Sequence, residues 1–241
     1  MASRARRAAV REDEGSAGQL LAVEQIVGAA LRVGVAKGFE SLTMRALAEE
    51  LGVSAMAAYY HVPNKRALIE LVIDAVLAAV EVPPEDYGAW DDRLYELQMR
   101  TAQALAAYPG VEPLVYSRPP TAQGWRLMDA YFAILRSAGF SRRNALVAFS
   151  IIHAYGLGRS LLERRFPDDG ESTETAGRGE WPALREIGDL WPQLHRPDYR
   201  AFAMESILDG LRVMLAEQRS EVATPRRGQA AGPGTGSGPP G

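Results

Sequence analysis

From Leu20 onward the apolar residues of this chain recur every three or four positions, and nearly every such run is stopped by a proline or a glycine. That period is the signature of amphipathic helices, and the stops are residues that a helix cannot carry through. No stretch of useful length alternates apolar with polar residues, and no segment repeats, so the expected fold class is all-α. Leu20, Val23, Val27, Ala30 and Leu31 fall on one side of a first helix, with Ile26 and Val33 beside them, and Gly38 closes it. Thr43 then precedes Met44, Leu47, Ala48 and Leu51, a two-turn helix opened by a hydroxyl cap. A shorter helix begins after Gly52-Val53 with Ser54 at its cap, and Pro63 ends it by biasing Val62 away from the α conformation. From Asn64 an apolar run (Leu68, Leu71, Val72, Ala75, Val76, Ala79) continues toward Pro83-Pro84. Further helices are expected at 90–108, 113–117, 121–138, 141–165, 182–190 and 197–218, with a loop over 167–181.

Composition narrows the chemistry. Among 241 residues there is no cysteine, which excludes disulfides, thiolate nucleophiles and Cys-based zinc sites. The three histidines, His61, His153 and His195, lie too far apart in sequence for a metal-ligand spacing to be read, so no metal and no cofactor is expected. The N-terminal MASRARRAAVREDEG has no apolar core of a secretory signal, and no stretch has the uninterrupted apolar length of a membrane span. A cytoplasmic protein without a membrane partner is the expectation. No Ser/His/Asp arrangement, Gly-rich phosphate loop or paired-carboxylate motif stands out, which speaks against an enzyme.

The pair of short helices joined by a Gly-containing turn reads as a helix-turn-helix. About six residues do not stay helical alone in water, because nucleation is costly. Such a segment needs neighbours, and Leu47, Leu51 and Val53 are placed to pin it. Its beginning can present small side chains to base edges in a major groove; its end carries Tyr59, His61 and, past the proline, Lys65, groups suited to phosphates. Charge does not help: through residue 80 nine Lys/Arg (Arg4, Arg6, Arg7, Arg11, Arg32, Lys37, Arg45, Lys65, Arg66) face nine Asp/Glu, and the whole chain carries −3. Position, not net charge, has to support binding to DNA. By spacing alone, short capped helices and a tyrosine pair fit plain packing equally well.

The stretch FESLTMRALAEELGVSAMAAYYHVPNKRALIELVIDAVL resembles the N-terminal domain of the tetracycline-repressor (TetR) family over residues 20–80 without a gap. Gly38, Thr43, Arg45, Leu47, Ala48, Leu51-Gly52-Val53, Tyr59, His61 and Asn64-Lys65 carry the resemblance in order. It implies a DNA-binding surface made of Thr43, Met44, Arg45, Ser54, Ala55, Met56, Ala57, Tyr59, His61 and Lys65. Arg45 and residues 55–57 would face base edges, and Thr43, Tyr59, His61 and Lys65 the backbone. Tyr60 is left as core or flank. Ala55, Met56 and Ala57 are apolar where a polar reader is often found, so sequence choice would lean on Arg45, thymine methyls and DNA shape.

VEPLVYSRPP, ILRSAGFSRRNALVAFSIIHAYGLGRSLLE, ALREIGDLWPQL and FAMESILDGLRVML resemble, in the same order, the sensor domain of tetracycline repressors. The implied organisation is a basic arm (1–19), a helix-turn-helix domain (20–66), a ligand-binding and dimerisation domain (67–220) and a low-complexity tail (221–241). The helices near 141–165 and 198–218 would pair with their copies in a homodimer, with Leu208, Leu211, Met214 and Leu215 on a buried face and Gly156 and Gly158 permitting close approach. A double-stranded operator and a small-molecule effector are the implied partners. In this alignment the magnesium-binding histidine of the tetracycline sensor falls at Leu114 and its carboxylate near Leu162, so a metal-chelated drug is not expected. Candidate ligand-binding residues are Met99, Leu114, Trp125, Met128, Tyr131, Phe149 and Tyr155, with Arg100, Arg118 and His153 as polar anchors; each is also a plausible core residue. The chain therefore reads as a ligand-responsive regulator, most simply a repressor released by a small, largely apolar, ring-containing molecule. An activator, or a regulator controlled by a partner protein, is the alternative.

Overall fold

The computed structural model describes residues 23–165, 181–188, 190, 193 and 196–223. The arm, the tail beyond 223 and nearly all of the expected 167–181 loop lie outside them. Among the described residues there are ten α-helices and no strand: α1 (23–37), α2 (Met44–Leu51), α3 (Ala55–His61), α4 (Lys65–Ala78), α5 (Trp90–Ala106), α6 (Val111–Tyr116), α7 (Ala122–Ser137), α8 (Arg142–Arg165), α9 (Pro182–Ile187) and α10 (Pro197–Ala223). The all-α expectation holds. The last helix runs past its expected end at Gln218.

The caps are those the residue types suggest. Thr43, Ser54 and Asn64 each accept a backbone N–H three residues on, from Ala46, Ala57 and Ala67, at 2.9–3.1 Å. Gly52 takes a left-handed conformation (φ 67°, ψ 28°) that lets α2 turn sharply into α3. Gly34 serves differently: a Cβ there would lie 2.3 Å from the ring of Phe39, so α1 can fold over that buried ring only with hydrogen at this position.

Two readings are corrected by burial, and a third holds. On α1 the core face is Ile26, Ala29, Ala30 and Val33, whereas Val23 is exposed and Val27 only half-buried. Val53 does not pin α3; that short helix is held through Ala58 and the fully buried Val62. The expected buried face of the last helix is present: Leu208, Leu211 and Leu215 are buried and Met214 is half-buried, all packed into this chain's own core.

The core is continuous from the N-terminal unit into the larger bundle through α4, whose Leu68, Ile69, Val72, Ile73, Val76 and Leu77 are all buried. The foot of α4 is fastened to α7. Asp74 accepts the backbone N–H of Gln123 at 2.9 Å, and Arg126 donates to the carbonyls of Leu77 (3.0 Å) and Val80 (2.9 Å). A guanidinium is well suited to the last carbonyls of a helix, which have no intrahelical partner. By length and composition α8 is apolar enough over Arg142–Glu163 to cross a membrane, contrary to the sequence expectation. Its apolar length has another use here: one face packs Ala145, Ala148, Phe149 and Ile152 into the core, and the other exposes Leu146, Val147, Ile151, Leu161 and Leu162.

Candidate functional site

Two surfaces carry the candidate residues. The first is the outer face of α2 and α3. Arg45 projects from α2, its side chain 88% exposed, with Nε 3.0 Å from Glu49 one turn on. Met56 is 80% exposed on α3, Ala55 is exposed and Ala57 half-buried, and Tyr59 and His61 stand at the far end of the same helix. Lys65 opens α4 beside them and donates to the Glu40 carbonyl at 3.0 Å. Tyr60 is resolved as flank: 87% exposed, its ring edge-on to His61 at 5.5 Å. Met44 is a correction. It is 5% exposed, because the first residue of α2 points back onto the core, and it cannot reach a base edge.

The second is a cavity of about 350 Å³ beneath that unit, walled by α4, α5, α6, α7, α8 and the segment 118–121. Of the ten candidate ligand residues, Arg118, Met128, Tyr131, Phe149 and His153 line it. Its aromatic wall is continuous. Phe149 stacks on His153 at 5.3 Å, His153 meets Tyr116 edge-on at 5.1 Å, and Phe149 meets Tyr131 edge-on at 5.9 Å. The Tyr131 hydroxyl donates to Gln98 Oε1 at 2.7 Å inside the buried region. Burial pushes the Tyr131 phenol well above its ordinary range and raises Tyr116 to about 12, with Glu112 adding to the latter, so both stay protonated as hydrogen-bonding groups. Loss of hydration lowers the His153 pKa, leaving a neutral imidazole at neutral pH.

The other five candidates lie off the wall. Trp125 is 58% exposed on the outside of α7, and Met99 and Leu114 pack elsewhere, off the cavity. Arg100 is held by Glu96 at 2.6 Å and by the Glu81 carbonyl. Tyr155 reaches only a small neighbouring recess with Gly156, Arg159 and Arg200. The sequence reading missed Gln98, Thr101, Val115 and Tyr116, and above all Ile73 and Leu77, which α4 contributes to the wall.

A bound magnesium does not fit the described residues at the expected metal position. Glu163, the carboxylate nearest the expected metal position, is engaged by Arg159 at 2.6 Å and by Arg200 at 2.9 Å. Burial alone would raise its pKa, but those two partners outweigh it and hold the carboxyl below its usual range as their counter-ion. Leu114 and Leu162 offer no side-chain oxygen, and magnesium takes oxygen ligands.

Residues 26–72 match the family described as bacterial regulatory proteins of the tetR family, and residues 82–215 match the tetracyclin repressor-like C-terminal domain. The chain belongs to the TetR family. Its relatives include the tetracycline repressor class A of transposon 1721 from Escherichia coli, 31% identical over 210 residues that cover 84% of this chain and 95% of that one. The HTH-type transcriptional repressor DrrR1 of Streptomyces coeruleorubidus is 29% identical over 225 residues, covering 84% and 82%. Among solved structures, the TetR family protein ActR of Streptomyces coelicolor in complex with actinorhodin superposes with a TM-score of 0.65 at 25% identity, over 80% of this chain and 97% of that one. As a TetR-family protein with both domains, the chain is a ligand-responsive transcriptional regulator rather than an enzyme.

Proposed function

We propose that this TetR-family regulator is a cytoplasmic repressor that grips a roughly palindromic operator as a homodimer and releases it when a largely apolar, ring-containing effector fills the cavity. The observation that carries this reading is that Ile73 and Leu77, on the helix that bears the helix-turn-helix unit, are themselves part of the cavity wall. Anything that fills the cavity touches α4 directly. A ligand shifts the balance between two orientations of α4 only by its differential affinity for them, and contact with the moving part supplies that difference. The aromatic wall favours flat rings, and the actinorhodin complex of the structurally similar ActR supports the same class.

In this reading Arg45, Ala55, Met56 and Ala57 face base edges, while Thr43, Ser54, Tyr59, His61 and Lys65 serve the sugar-phosphate backbone. The second copy is recruited through the apolar surface of α8 and α10, where Leu146, Ile151, Phe202 and Val213 are exposed and a Cβ on Gly158 would meet nothing within 4 Å. Two-fold symmetry of the dimer then implies two-fold symmetry of the operator. The test is electrophoretic mobility shift with DNA from upstream of the gene, repeated with a panel of aromatic polycycles with and without a chelator. Release by a polycycle that persists in chelator is expected. Release that vanishes with the chelator restores a metal-dependent effector, and a complex that no small molecule dissociates points to an activator or a partner-controlled regulator. Size-exclusion with light scattering checks the dimer, which Phe202→Glu is expected to split.

A further inference from the structure

The cavity wall contains a guanidinium, and among the described residues it contains no aspartate or glutamate. That guanidinium belongs to Arg118, whose Nε is buried without a hydrogen-bond partner. Several other arginines of the helical bundle are engaged. Arg126 caps the foot of α4, Arg159 and Arg200 share Glu163, and Arg100 holds Glu96. Arg93 Nε is also buried without a partner, but Arg93 does not line the cavity; the half-buried Arg118 does, and no carboxylate faces it there among the described residues. Its backbone is also constrained, since Pro119 follows and biases Arg118 toward an extended conformation. The rest of the wall supplies rings rather than counter-charge: Phe149 and Tyr116, with His153 between them. A buried donor without an acceptor is costly, and a cation is normally paired when desolvated.

We propose that the effector carries an acidic group, a carboxylate or an ionised phenol on its ring system, and that Arg118 is the residue that selects it. This deepens the effector-cavity reading and rests on it. The planar fork of arginine matches a carboxylate in two parallel hydrogen bonds, with the ring system then laid against Phe149 and Tyr116. An amine-bearing molecule of the same shape would bring a second positive charge to a site that offers no carboxylate among its described residues.

The test compares three near-isosteric probes by isothermal titration calorimetry: 2-naphthoate, 2-naphthamide and 2-naphthylmethylammonium, with the full chain and with Arg118→Met and Arg118→Lys. The expected order is acid, amide, amine, with the acid bound at least about tenfold more tightly than the amide, equal to about 1.4 kcal/mol. Arg118→Met should bring the acid to the level of the amide, and Arg118→Lys should keep part of the preference. Equal binding of the acid and the amide by the natural chain overturns this inference while leaving the cavity reading intact, and needs no variant. Retention of the full preference by folded Arg118→Met overturns it as well. Binding of none of the three overturns the ring-ligand cavity itself, and this inference with it.

Discussion

The DNA-facing unit concentrates its candidate residues between Thr43 and Lys65, whereas the cavity draws on five helices and a loop from Ile73 to His153. In the first, each position is set by its distance from a cap: Thr43, Ser54 and Asn64 fix where three successive helices begin, and exposure follows. In the second, a residue faces the void or misses it according to the rotational phase of a long helix packed at a distance. The lesson is that a convex surface on short capped helices is a local property of sequence, and a concave one between long helices is not.

That contrast can be broken from either side. Arg45→Ala should produce the largest effect, a loss of about 1–3 kcal/mol per half-site concentrated at one base pair. Binding to operators mutated one position at a time checks it, and a uniform loss would move Arg45 to the backbone. Phe149→Ala comes next. It widens an existing void rather than opening a new one, so DNA binding should persist while the effector concentration needed for release rises about tenfold, a change of about 1.4 kcal/mol. Protein that no longer binds DNA would instead make Phe149 a structural wall, as in any core. Lys65→Ala should lower affinity for all sequences alike and reduce the salt slope by about one unit per protomer. The smallest effect is expected at Glu49→Gln, which frees Arg45 from its ion pair. Exposed pairs at this spacing are worth about 0.3–0.5 kcal/mol, so affinity for the operator should rise about twofold in a fluorescence anisotropy titration.

How far the sequence reached can be seen at single positions. The caps, the Gly52 turn and the exposed Arg45, Met56, Tyr59 and His61 were all legible, because hydroxyl caps and helix stops act within one turn. Met44 was not. The family resemblance puts it in a DNA-facing row, and only the packing of α2 shows that its side chain turns inward. In the cavity the misses are small and systematic. Met99 and Arg100 sit between the lining Gln98 and Thr101, Leu114 beside Val115, and Trp125 beside Gly124. One residue along a helix is a rotation of about 100°, enough to take a side chain from wall to exterior. The periodic sets Gln98–Thr101–Leu105, Gly124–Leu127–Met128–Tyr131 and Phe149–Ile152–His153 show the correct phase. Small or polar wall members such as Gly124 and Thr101 carry no signal of size or aromaticity, and the aromatic Tyr116 lies on a helix too short to show its phase.

The fastening of α4 by Arg126 sets a scale for the response. The guanidinium holds the Leu77 and Val80 carbonyls, and the same N-terminal turn of α7 places Thr121 and Gly124 at the cavity. The helix is thus clamped at one end and carries its load at the other, in the manner of a cantilever. With 14 residues in α4, its free end stands about 21 Å from the clamp, so a tilt of only about 5° at the root displaces the tip by about 2 Å. A displacement of that size approaches the length of a hydrogen bond. Geometric gain, rather than any large rearrangement of the bundle, is what the clamp provides.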